Sequence, residues 1–210
     1  MSPTQAFRVA GVSVAASILL AGCASQPADE PTGAASSSPP VPSEPTTAPA
    51  SPSPSGVPAS FTIPACEQQV DAASVQAAFG ADVAFIADTT DTWQPVGPAA
   101  QDALAGAEES VACLWGVPNS GRAVTIAVAK DPNEAPDLIA ALREAATTFS
   151  EEQVGSALVF TGDDLEAGDL TTAVTYVFDG AAWISVGGGE LATPEATREV
   201  ALAVHGGLTS

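Results

Sequence analysis

The 210 residues carry 25 acidic side chains against five basic ones, a formal net charge of −20, with 18 Gly, 18 Pro and only 5% aromatic residues. That length suits one domain, or one domain with tails. So large an excess of acids leaves no basic stripe to follow a phosphate backbone, which excludes nucleic acid as a partner. Hydrophobic residues make up 46%, a figure inflated by Ala, yet no apolar run reaches the ~18–20 residues needed to cross a bilayer.

Residues 1–22 read as an export signal. Met1 to Arg8 form a short leading region, and Val9 to Leu20 an uncharged core of 12 residues, within the ~7–15 of a signal-peptide core and too short to span. Leu20-Ala21-Gly22-Cys23 follows. It resembles the lipobox of bacterial lipoproteins: an aliphatic residue, two small residues, then Cys. The resemblance implies diacylglyceryl transfer to the Cys23 sulfur, cleavage before Cys23, and often a third acyl chain, such as palmitate, on the new amine. Two acyl chains anchor stably where one is marginal. The competing reading is an ordinary signal peptide with an incidental Cys.

From Cys23 to Ser60 the chain is almost entirely Ala, Ser, Pro, Thr and Gly, with PPVPSEPTTAPASPSPSGVPAS at its centre. Such a segment cannot bury enough surface to offset its ordering entropy, so a disordered tether biased to polyproline II is expected. Fully extended, it reaches ~115 Å; as a loose coil it averages nearer ~35 Å. Ser and Thr beside Pro are candidate acceptors for O-linked sugar.

Residues 61–210 should fold, and 150 residues suffice for one core. This part holds 22 acids against Arg122, Lys130, Arg143 and Arg198, a net −18. Of the three Cys, lipidation uses Cys23. Cys66 and Cys113 remain as the one intramolecular pair in an exported domain, and a disulfide between them is expected. A metal site would need further ligands, and the chain's one His is His205.

Asp71 reads as the N-cap of a short helix ending at Phe79, before Gly80. A strand is expected over Asp82–Ile86. An irregular stretch follows from Asp88 to Ser110, with a short helix over Pro98–Ala107. Val111, Cys113, Trp115 and Val117 alternate up to a turn at Pro118–Gly121, and Val124, Ile126 and Val128 alternate after it. This hairpin places Trp115 opposite Val124 and Cys113 opposite Ile126, on a core face, with Trp115 packed beside the disulfide. A long helix is expected from Ala135 to Phe149 on the stripe Leu138, Ile139, Leu142, Ala146 and Phe149, then a strand over Ala157–Phe160. A second hairpin runs Val174–Phe178, turns at Asp179-Gly180 and returns over Ala181–Val186, with Tyr176 opposite Trp183. Thr193 caps a last helix that ends at Gly206-Gly207. The pattern predicts an α+β domain with helices on one face of an antiparallel sheet. Strand, hairpin and helix recur over 82–149 and 157–206, a duplication at the level of elements.

Pro64-Ala65-Cys66, the helix to Phe79-Gly80 and Ala112-Cys113-Leu114-Trp115, joined to the lipobox and tether, resemble the small lipoproteins of actinobacterial envelopes that carry a domain of unknown function. The resemblance implies an extracytoplasmic α+β domain with one disulfide, and it brings no activity. One extra residue separates Pro64 from Cys66, and Gly187-Gly188-Gly189 has no counterpart in the pattern.

No Gly-x-Ser-x-Gly elbow and no Ser-x-x-Lys occurs, and a Ser–His–Asp triad would depend on His205, at a helix end where the dipole accounts for it. Asp163, Asp164, Glu166 and Asp169 form the densest oxygen cluster. They are weak candidates for a hard cation, against the plainer reading of a solvated acidic turn. Gly187-Gly188-Gly189 reads as a flexible loop rather than an anion cradle. Trp93, in an acidic loop, is either a ligand or partner contact or a plug for the core. The expectation is a non-catalytic binding or accessory module without cofactor, held at the outer face of the cell membrane through acyl chains on Cys23. Its partner would be an envelope protein or a small ligand. One alternative is a carrier of an apolar ligand such as a lipid, since many Ala and few aromatics leave room between sheet and helices; another is an unrecognised envelope hydrolase.

Overall fold

The computed structural model describes residues 56–58, 60–130, 135–167 and 170–210, all within the second of the chain's two units, 50–210. The expected signal, the lipobox with Cys23, and the expected tether up to residue 55 lie outside the described residues.

In chain order the elements are α1 (Cys66–Gln69), α2 (Ala72–Phe79), β1 (Ala84–Asp88), α3 (Pro98–Gly106), β2 (Glu109–Gly116), β3 (Ala123–Lys130), α4 (Ala135–Glu144), β4 (Phe149–Val154), β5 (Ala157–Ala167), β6 (Leu170–Asp179), β7 (Ala182–Gly187) and α5 (Pro194–Leu208). The strands form one antiparallel sheet in the order β1-β2-β3-β7-β6-β5-β4. The expected α+β class holds. Among the described helices none is long and apolar enough to cross a membrane.

Local chemistry accounts for the boundaries. Asp71 accepts from the Ser74 N–H at 2.9 Å and so caps α2; Gly80, at φ 125°, ends it in a conformation that other residues adopt only under strain. Pro98 opens α3 behind Gly97, and Thr193 with Pro194 opens α5, since Pro fits the first turn, where its missing N–H has no partner to lose. The first hairpin takes the expected register, Trp115 opposite Val124 and Cys113 opposite Ile126. Cys66 and Cys113 are bonded, with Cα atoms 5.4 Å apart, and share a core cluster with Trp115. The edge of the Trp115 ring meets Phe85 at 5.7 Å.

Three expectations need correction. The helices cover both faces of the sheet, not one. α1, α2 and α5 pack on the face of Cys113, Ile126, Val177 and Ile184. α3 and α4 pack on the opposite face, against Phe160, Tyr176, Phe178 and Trp183. β7 is therefore buried at every position, as a strand covered on both sides must be.

Strand, hairpin and helix do recur, as β1, β2-β3, α4 and β5, β6-β7, α5, but no two-fold relates the two units. Two three-stranded meanders, β1-β2-β3 and β5-β6-β7, do meet antiparallel at β3 and β7. A two-fold relating them would stand perpendicular to the sheet and keep their helices on one side. The helices after β3 and β7, α4 and α5, lie on opposite sides instead.

The helix expected to reach Phe149 stops at Glu144, and Phe149 opens an edge strand, β4. Ala145–Thr148 form a turn, with the Thr148 and Phe149 N–H groups both donating to Ala145 O. Two consecutive Thr lower helix propensity there, and Phe149 and Gln153 pair with Gly162 and Leu158 on β5.

The second hairpin turns at Gly180-Ala181, so that Asp179 pairs with Ala182 and Tyr176 with Ser185. The expected register and the observed one put identical residues on each face, so hydrophobic alternation does not separate them. Tyr176 and Trp183 still touch, diagonally, with ring centroids 6.0 Å apart. β5 and β6 also run further than expected, making one long hairpin.

Candidate functional site

On the α3/α4 face a cavity of ≈ 200 Å³ lies between the two helices and the sheet. Its α4 side is Leu138, Ala141 and Leu142, with Ala145 just beyond; its α3 side is Pro98, Ala99 and Ala100. Phe149 and Tyr176 form the sheet side, stacked at 6.1 Å. The space exists because Ala stands where larger side chains would close the gap between two helices and a sheet.

The one hydroxyl in the wall is already used. The Tyr176 O–H donates to Val96 O at 2.7 Å, and burial pushes the phenol well above its ordinary pKa, so it stays a neutral donor. Among the described residues no charged side chain lines the slot. It can take hydrocarbon, and it offers no free polar group to anything else.

Trp93 does not line this slot; it supports the wall behind it. The Trp93 ring lies 6.1 Å from that of Trp183, which in turn packs on Tyr176. Trp93 is half-buried and packs against the α3/α4-face core. Its backbone N–H and that of Thr92 both donate to Thr89 O, which fixes the loop.

A second polar site was not legible in the sequence. Asp179, 8% exposed, receives three groups on one oxygen. The Val57 N–H reaches Oδ2 at 3.1 Å, the Ser156 hydroxyl at 2.8 Å and His205 Nε2 at 2.8 Å. A carboxylate only accepts, so Nε2 is the protonated nitrogen. Burial by itself raises the Asp179 pKa, but the hydrogen bonds from His205, Ser156 and Val57 outweigh it and hold the carboxyl below its ordinary value. Val57, ahead of the expected domain start at 61, is thereby already anchored and buried. Gly56 lets the chain pass, since a Cβ there would sit 2.7 Å from Asp179 Oδ1.

Ser, Asp and His meet here in the wrong order for catalysis. In a nucleophilic triad the imidazole lies between hydroxyl and carboxylate and takes the hydroxyl proton. Here the carboxylate lies in the middle, and Ser156 donates to it, with no base to activate Oγ. The arrangement ties the β4–β5 turn, the β6–β7 turn, α5 and the chain at Val57 together.

Asp163 and Glu166 lie on β5, flanking the irregular register between Gly162 and Leu165, and both are exposed. The side chain of Asp164 and all of Asp169 fall outside the described residues. Among the described residues no group of three or more His, Cys, Asp or Glu is placed to hold a metal ion. Asp163, Asp164 and Glu166 lie on a strand rather than in the turn expected.

Of Gly187-Gly188-Gly189, the first and third are closely packed against neighbouring strands. A Cβ on Gly187 would meet Ala173 O at 2.5 Å, and one on Gly189 would meet Ala123 O at 2.3 Å. Thr172 Oγ1 donates to Gly189 O at 3.0 Å. These glycines let β7 leave the sheet against its two neighbours. No family model, no curated protein and no solved structure matches this chain.

Proposed function

We propose that the protein is a lipid-anchored extracytoplasmic lipoprotein of the cell envelope whose folded domain is a non-catalytic binding or accessory module. The lipobox at Leu20–Cys23 supports the anchor. The bonded Cys66 and Cys113 support an oxidising compartment. The observation that carries the non-catalytic reading is the commitment of the chain's one His, together with Ser156, to Asp179. A second reading, a carrier of an apolar ligand, is favoured by the slot between α3, α4 and the sheet.

Intact mass of protein extracted from membranes tests the anchor. The expected result is loss of residues 1–22 and a diacylglyceryl adduct on Cys23; an unprocessed, unmodified chain would end the reading. Capture from envelope extract, with Cys23→Ser to release the protein, should recover a stoichiometric partner or ligand. Turnover of any envelope ester or glycoside by the purified chain would count against a non-catalytic module.

A further inference from the structure

We infer that the slot between α3 and α4 binds the end of one unbranched alkyl chain whose uncharged head group stays outside. This deepens the carrier reading above and rests on it. Volume sets the class. At ≈ 200 Å³ the slot exceeds the ~150 Å³ that suffices for benzene but falls short of the ~300–1,000 Å³ of sites that enclose drug-sized ligands. A whole lipid does not fit; a slim hydrocarbon segment does.

The chemistry of the wall narrows it further. The lining is Ala, Leu, Val, Pro, Gly, Phe and a Tyr whose hydroxyl is satisfied by Val96 O. A ligand carrying a polar group inward would bury it unpaired, which is unfavourable, whereas each buried methylene is favourable. Hydrocarbon goes in, and the head remains at the exposed Gly97 and Pro98. The folded part carries −18, a field that disfavours an anionic head. The ligand is therefore a single-chain amphiphile with an uncharged head, not a fatty acid anion.

The probe is 12-bromododecan-1-ol, whose bromine quenches indole at short range. Tyr176 lines the slot and packs on Trp183, so a seated chain end lies one ring away from that indole. In the full chain carrying Cys23→Ser, titration should give saturable, one-site partial quenching. Ala141→Leu fills the slot and should weaken binding at least tenfold, with the circular dichroism unchanged. Should that variant misfold, Ala145→Leu at the end of α4 serves the same purpose. Absence of saturable quenching, or equal affinity in the filled variant, overturns the assignment. So does tighter binding of benzyl alcohol, in competition, than of dodecan-1-ol, or tighter binding of laurate. Because Cys23→Ser removes the acyl anchor, a negative result leaves the anchor reading intact, and a missing adduct on native protein leaves this titration valid.

Discussion

Asp179 Oδ2 and His205 Nε2 stand 2.8 Å apart although 26 residues separate them in sequence. That contact closes the last helix onto the β6–β7 turn, and the same oxygen holds Val57 and Ser156. Replacing Asp179 with Asn leaves one neutral oxygen for the three donors and removes the charge that strengthens each bond. Asp179→Asn should lose about 1.5–3 kcal/mol, the range for hydrogen bonds to a charged group, read from the midpoint of urea unfolding. A loss below about 0.5 kcal/mol would show that the contact holds nothing.

The same carboxyl makes stability depend on pH. Its folded pKa lies below the ordinary value, so its stabilisation is complete above the unfolded value of ~3.9 and is lost as pH falls through the folded value. The stability difference between the protein and Asp179→Asn should hold from pH 7 to about 5 and shrink in more acid solution. A difference that grows below pH 4 would contradict the assignment.

The Cys66–Cys113 bond closes 47 positions of sequence. Chain entropy puts its contribution at about 4 kcal/mol. The paired replacement Cys66→Ala with Cys113→Ala should therefore lower the melting temperature by roughly 8–16 °C, if it folds at all. Cys113 is fully buried, so reductant should act on the native protein only slowly, and thiol titration with and without denaturant will show the difference.

The three consecutive glycines separate strain from contact. Gly188, at φ 78° with open space around it, should tolerate Ala at a cost of about 1–2 kcal/mol. Gly189→Ala meets both a positive φ and the Ala123 carbonyl, and should cost roughly 3 kcal/mol or more. Equal losses at the two sites would mean that the close approach to β3 is relaxed in solution.

Trp93 and Arg198 set opposite scales. Trp93→Ala removes a half-buried indole from Trp183 and should cost about 2 kcal/mol, less than a fully buried aromatic. Arg198 pairs with Glu152 and lowers its pKa, yet both side chains are 42% exposed. Arg198→Ala should cost under about 1 kcal/mol, and less at high salt. Chemical denaturation of both variants at low and high ionic strength checks the pair.

Much of the domain follows from neighbouring residues. Alternation in Val111–Val117 and Val124–Val128, with turn residues between, was enough for the register of β2 and β3, because a short loop leaves few ways to pair. Counting cysteines was enough for the disulfide, and Asp71 and Thr193 marked helix starts through the N–H groups they cap. Local pattern could not choose the face on which each helix lies, since an amphipathic stripe requires only that some apolar surface cover it. Nor could it separate two registers of the β6–β7 hairpin that bury identical faces. Asp179 read as a turn residue until packing brought Val57, Ser156 and His205 to it. The slot belongs to no segment: it is the gap left where Ala residues on two helices face Phe149 and Tyr176, and only their assembly gives it walls.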